Sequence, residues 1–156
     1  MEFTHFDEQG DARMVDVGEK EVTQREALAG GFIQLSEEAY QAVLGKKVKK
    51  GDVLTVAQVA GIMGVKRTAE LIPMCHTLIL THVSLTFETE DETCRIRALC
   101  RVRCEGKTGV EMEALTGVST ALLTIYDMCK AIDRRMVIGE ICLLEKSGGK
   151  SGVFRR

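Results

Sequence analysis

Tryptophan is absent from this sequence, tyrosine occurs twice, and aromatic residues make up 4% of the chain. Sequence-tolerant binding of single strands relies on aromatic platforms for the bases, so that function class is disfavoured. The net charge is −2, which excludes general affinity for nucleic acid and requires any anion site to be a local cluster. No apolar run approaches the length of a bilayer span, and the N-terminal "MEFTHFDEQGDARMVDV" lacks the basic-then-apolar order of a secretion signal. A cytoplasmic chain without membrane contact is therefore expected. Cys75, Cys94, Cys100, Cys104, Cys129 and Cys142 contain no Cys-x-x-Cys pair. A structural zinc site is not expected, and most of the thiols read as small buried hydrophobes kept reduced.

Two stretches resemble nucleotide loops: Gly106-Lys107-Thr108 in "CEGKTGVEME" and Gly149-Lys150-Ser151 in "EKSGGKSGVFRR". A phosphate loop needs a further glycine upstream, and Arg101 and Leu144 stand at those positions. After Ser151 too little chain follows to form the helix whose dipole would face phosphate. The loops can still meet an anion through another geometry, or be solvated turns.

What is present fits one domain. At 156 residues, 45% hydrophobic and 28% charged, the chain can bury about 70% of its unfolded surface. Residues 1–13 read as a flexible N-terminal segment, 14–152 as a single domain and 153–156 as a tail. "MVDV" and "REALAGGFIQL" suggest strand, with Gly30-Gly31 as a bulge or break. Ser36 opens a short capped helix, "SEEAYQAVLG", and the basic loop "KKVKKGD" follows. Over "TVAQVAGIMGVKRTAELI", Val56, Val59, Ala60 and Met63 recur at helical spacing, Thr55 is a candidate cap, and Pro73 holds Ile72 extended.

"HVSLTFET" and "CRIRALCRVRC" alternate and read as an antiparallel pair joined at "ETEDE". Val83, Leu85 and Phe87 share one face of the first strand. In the second, Arg95, Arg97, Arg101 and Arg103 form an outer basic face. Leu115, Val118, Leu122, Ile125, Cys129 and Ile132 give a long helix a continuous apolar stripe, with Thr108 and Glu111 as a candidate capping box. "MVIGEICLLE" reads as a buried strand. The order strand, helix, helix, strand, strand, helix, strand predicts an α+β, ferredoxin-like antiparallel sheet with helices on one face.

The long helix carries a second, mostly polar stripe that includes Glu113, Thr116, Thr120, Asp127 and Lys130. Asp127 and Lys130 are close enough on the helix to meet, either as an exposed ion pair or as an acid–base couple. Glu113 and Asp127 lie about 40° apart around the axis and about 21 Å apart along it, so one helix cannot bring both to one reacting centre. In "LIPMCHTL", Cys75 and His76 follow Pro73 in extended chain and point to opposite faces, which disfavours a direct nucleophile–base couple.

Four runs, "MVDVGEKEVTQREA", "KGDVLTVAQVAGIMGVKRTAELIPMCHTL", "GKTGVEMEALTGVSTALLTIYDMCKA" and "MVIGEICLLEKSGGKSG", closely resemble the molybdenum cofactor biosynthesis protein C family. The resemblance extends from about Met14 to Gly152. It implies a lyase, cyclic pyranopterin monophosphate synthase, of ferredoxin-like fold, assembled as a hexamer of three dimers with sites at the dimer interface. The implied substrate is 3′,8-cyclo-7,8-dihydro-GTP, rearranged to a pyranopterin with closure of a cyclic phosphate and loss of pyrophosphate.

Residue by residue, the resemblance assigns catalysis to Asp127, Lys130 and Lys50. It assigns substrate contacts to Met74, Cys75, His76, Met112, Glu113, Lys66 and Lys146. Met74, Thr77 and Gly18 depart from the family's usual Leu, Pro and Ser. No resident cofactor and no metal ligands are implied, although magnesium can arrive with the triphosphate. A non-catalytic nucleotide-binding ferredoxin-like module is the alternative, and a hydrolase acting on another guanine nucleotide is a third reading.

Overall fold

In the computed structural model, which describes residues 5–7 and 9–156, two elements dominate: a long helix and the sheet beneath it. The chain runs β1 (Thr23–Gln34), α1 (Glu37–Leu44), α2 (Val53–Lys66), α3 (Thr68–Leu71), β2 (Leu80–Glu90), β3 (Arg95–Gly106), α4 (Glu111–Cys129), β4 (Val137–Ser147) and β5 (Phe154–Arg155). The strands form one sheet in the order β2-β3-β1-β4-β5, and every neighbouring pair is antiparallel. The helices pack on one face of it, so the α+β, ferredoxin-like architecture expected from the sequence is the one observed. Of the segment 1–13, residues 1–4 and 8 lie outside the described residues. Within the described part, Phe6 bridges to Ala12.

Alternation decides which face of each strand is buried. Ile96, Ala98, Cys100, Val102 and Cys104 of β3 are at most 1% exposed and meet α4, which buries Val118, Leu122, Ile125 and Cys129. The basic outer face is not simply solvated. Arg101 and Arg103 both pair with Glu26, Arg97 pairs with Glu90 at 3.3 Å, and Arg95 lies 4.1 Å from the centre of the Phe32 ring. Tyr40, fully buried under α1, donates to Asp91 at 2.7 Å in the turn between β2 and β3.

Several local expectations are corrected. "MVDV" forms no strand; its Val15 carbonyl faces His76 instead. β1 runs unbroken through Gly30-Gly31, and the irregularity lies in β4, where Glu140 adopts φ 49° opposite this point. The two glycines serve close approach, to Leu99 and Leu144 on one face and Ile141 and Val118 on the other. "MVIGEICLLE" is a strand but is only partly covered. Asp52, not Thr55, caps α2, accepting from the Thr55 amide at 3.2 Å. The Thr108–Glu111 capping box does not form; Val110 holds the N-cap position of α4 without a side-chain bond.

The α2 stripe is turned around. Val56, Val59 and Met63 are 44%, 54% and 50% exposed, while Val53, Ala57, Gly61, Gly64 and Val65 face inward. α2 is apolar on nearly all sides, so periodicity alone could not choose the buried one; the small residues do, because they let α2 and α4 approach closely. A Cβ on Gly61 would lie 2.9 Å from the Gly117 carbonyl oxygen, and one on Gly64 would lie 2.9 Å from Thr120 Cβ.

Candidate active site

Most of the side chains singled out by the sequence gather in two groups, at opposite ends of α4. At its C-terminal end, Asp127 sits between two lysines. Lys130, one turn on, approaches Oδ1 at 2.7 Å, and Lys50 donates to Oδ2 at 3.0 Å and to the Asp127 carbonyl at 2.9 Å. Lys50 reaches there because it stands in the turn between α1 and α2, where Gly51 takes φ 105°. The bonds to Lys130 first and Lys50 second hold the Asp127 carboxyl down to about 2. Near neutrality it is therefore a fixed anion that orients two ammonium groups, all three half exposed to solvent.

At the N-terminal end of α4 lies the second group. A cavity of about 380 Å³ is lined by Met74, Cys75, His76, Met112 and Glu113, bringing five predicted contact residues together. His76 Nε2 donates to the Val15 carbonyl at 2.7 Å, which fixes its ring. Burial first, and the Glu113 charge second, push the Cys75 thiol up, so Cys75 is suited to packing rather than to nucleophilic attack. A smaller hollow of about 240 Å³ joins Lys66 to His76 and Glu113.

Glu113 is 5% exposed, and burial pushes its carboxyl above the ordinary 4.5. In the unfolded chain the same carboxyl keeps its usual affinity. As pH rises through the window between those two values, the unfolded state gives up its proton first, and stability is lost. Glu113→Gln removes that loss. Melting temperatures measured from about pH 4 to about pH 7 are expected to show the variant gaining on the wild type as pH rises; a constant difference contradicts this.

A larger cavity of about 760 Å³ opens beside the first and shares Lys20, Thr108, Gly109 and Glu111 with it. Its cations are Lys20, Arg25, Lys107, Lys146 and Lys150, against four glutamates. One of the four, Glu26, is already engaged by Arg101 and Arg103. Lys146 meets Ser151 across the "SGGKSG" turn, and Lys107 donates to the Gly18 carbonyl. Through those shared residues the partly apolar and the basic cavities make one groove. Lys50, Asp127 and Lys130 line none of these cavities; the length of α4 keeps Asp127 about 21 Å from Glu113.

Residues 14–149 match the model of the MoaC family. The chain belongs to the MoaC family. A relative from Pelotomaculum thermopropionicum is 58% identical over 98% of this chain and 90% of its own length. Relatives from Peptoclostridium acidaminophilum and Clostridium acetobutylicum are 54% and 53% identical, covering 100% and 99% of this chain and 98% and 96% of their own lengths. All three are named cyclic pyranopterin monophosphate synthase. The MoaC match takes in both groups of side chains and nearly all of the groove; of the groove's cations only Lys150 lies just beyond it.

Sequence reasoning did not single out Lys20 or Arg25 as groove residues. For Arg25 a signal existed: it shares the inward row of β1 with Ala27 and Ala29, an unusual place for a guanidinium. For Lys20, an exposed lysine in the bend before β1, there was none. Among the described residues, no three His, Cys, Asp or Glu side chains are placed to hold a metal ion, and no helix is long and apolar enough to cross a membrane.

Proposed function

We propose that the chain is a cyclic pyranopterin monophosphate synthase, acting on 3′,8-cyclo-7,8-dihydro-GTP. The supporting observation is the groove itself: a partly apolar recess sized for a fused ring system runs into a lysine-lined cavity suited to a polyphosphate. Met74, Cys75, His76, Met112 and Glu113 hold the rings, with Lys66 beside them. Lys146 faces the phosphates. Magnesium can accompany the triphosphate as part of the substrate.

Lys50 and Lys130 carry protons during ring opening and reclosure, and the Asp127 carboxylate holds both in reach of the same centre. In the closing step a substrate hydroxyl attacks the α-phosphorus, its proton passes to a lysine amine, and pyrophosphate leaves. The lysine cations offset the charge that develops on that leaving group.

The catalytic trio and the groove meet only if two chains contribute to one site. A homo-oligomer, a trimer of dimers with the site at the dimer interface, completes this reading. Val56, Val59 and Met63 of α2, with Leu123 of α4 at 60% exposure, offer apolar surface for a second copy to cover. Cytoplasm is the expected compartment.

The test is direct: purified protein is incubated with the cyclised GTP, and products are resolved by mass. Cyclic phosphate and pyrophosphate in equal amounts support the reading. Saturable binding with substrate recovered unchanged means a binding module instead, and pyrophosphate without a pterin means a hydrolase.

A further inference from the structure

The two glycine-lysine turns that do not form phosphate loops have one thing in common: the side chain of Arg25 lies between them. Its Nε donates to the Gly106 carbonyl at 3.2 Å, at the start of the turn that carries Lys107. On the other side, its guanidinium packs on Gly149, where any Cβ would collide with it. Gly148 leaves room in the same way for the Gln24 carbonyl and for Arg25 Cδ. Both glycines take positive φ, 97° and 72°, so they let the turn fold back over the arginine.

Two further facts separate Arg25 from a surface arginine. It is partly buried, and it makes no ion pair among the described residues, although four glutamates line the same cavity. Its charge is left facing the groove. Thr23, one step along the same inward row, has a buried hydroxyl with no hydrogen-bond partner, again at this cavity. An unspent guanidinium and an unsatisfied hydroxyl side by side mark an unfilled polar site rather than a finished core.

We infer that Arg25 is a positioning residue: it ties the Gly106–Gly109 turn to the Gly148–Gly149 turn and so sets the spacing of Lys107, Lys146 and Lys150 at the polyanion end of the groove. This rests on the functional reading above. The planar fork is what the role needs, since Nε serves Gly106 while the terminal nitrogens lie against Gly149. Lysine keeps the charge and loses both contacts.

The test compares Arg25→Ala, Arg25→Lys, Gly149→Ala and the Arg25→Ala/Gly149→Ala double variant, using full-length protein. Gly152→Ala is the control: Gly152 also has positive φ, 64°, but nothing lies within 4 Å of a Cβ placed there, so it reports backbone strain alone. Calorimetric affinity for pyrophosphate and KM for the cyclised GTP are measured, with melting temperature as a check on folding.

Arg25→Ala and Gly149→Ala are each expected to weaken pyrophosphate binding and raise KM roughly tenfold, with kcat changed far less. Arg25→Lys gives no rescue, Gly152→Ala stays within about twofold of wild type, and the double variant is no worse than the worse single. Full rescue by lysine, additive penalties, or equal effects of Gly149→Ala and Gly152→Ala would overturn the inference. Wild-type protein that fails to turn over the cyclised GTP overturns the functional reading, and the pyrophosphate affinities then decide the role of Arg25 by themselves.

Discussion

Lys50→Ala is expected to lower kcat by about 10²–10⁴-fold, the range lost when a positioned proton carrier is removed. The melting temperature should hardly move, because Lys50 is half exposed and its pairing with Asp127 is screened by solvent. Asp127→Asn should be comparably damaging for a different reason. The amide is nearly isosteric but carries no charge, so it no longer holds two ammonium groups together. If turnover of the cyclised GTP persists at the wild-type rate in either variant, the trio is an ornamental surface cluster and catalysis lies elsewhere.

The same variant tests whether the site is shared between chains. Lys50→Ala and Lys146→Ala are each inactive by expectation, one lacking the proton carrier and the other a phosphate contact. Co-expressed at equal levels, they assemble at random. Half of the dimers then contain both kinds of chain, and each of those has one intact site of two, so about a quarter of wild-type activity returns. If both halves of the site come from one chain, nothing returns. The about 21 Å between Glu113 and Asp127 favours the first outcome.

The largest structural effect is expected at Gly61. Helix propensity alone predicts that a side chain at this interior helical position stabilises the protein, by about 1 kcal/mol for alanine. The contact with α4 reverses the sign. A Cβ meets the Gly117 carbonyl oxygen at 2.9 Å and Ala121 Cβ at 3.2 Å, and Leu85 must also move. Leucine can change rotamer, but the backbone of α4 cannot yield without disturbing the row from Val118 to Cys129. Gly61→Val should therefore destabilise by about 3 kcal/mol and lower the melting temperature by about 6–12 °C. A variant that melts at or above the wild-type temperature would show that the seam is looser than these distances require.

Gly61 also shows how far the sequence could be read. Element types and order were legible because β2, β3 and α4 carry unambiguous periods of two and of 3.6. α2 was legible as a helix but not in its orientation. Val56, Val59 and Met63 supply the apolar periodicity, and yet Ala57, Gly61 and Gly64 face α4. Helix-end chemistry was legible at Ser36, whose hydroxyl does cap α1, and misleading at Thr108, because Val110 holds the N-cap position of α4 without a side-chain bond. For the site, spacing along the chain sufficed for Asp127 with Lys130, but it set Cys75 and His76 on opposite faces, whereas both line one cavity. It could not join Lys50 to Asp127, which are 77 positions apart, or Arg25 to Gly149, because helix packing brings the first pair together and the folded sheet with its turns the second.

The short strand β5 changes what binding costs. Lys146 pairs with Phe154 and Glu145 with Arg155, so the "SGGKSG" stretch is the closed end of a hairpin and not a loose tail. Ordering a free backbone takes about 1–2 kcal/mol of entropy per residue, and a tail would surrender that freedom each time a ligand arrived. Here much of it is given up once, during folding, with two hydrogen-bonded strands and the Gly152-to-Gly149 turn holding the ends. On the proposed function, a glycine-rich segment that looks built for mobility meets its ligand already shaped, and more of each expected phosphate contact is left to appear as affinity.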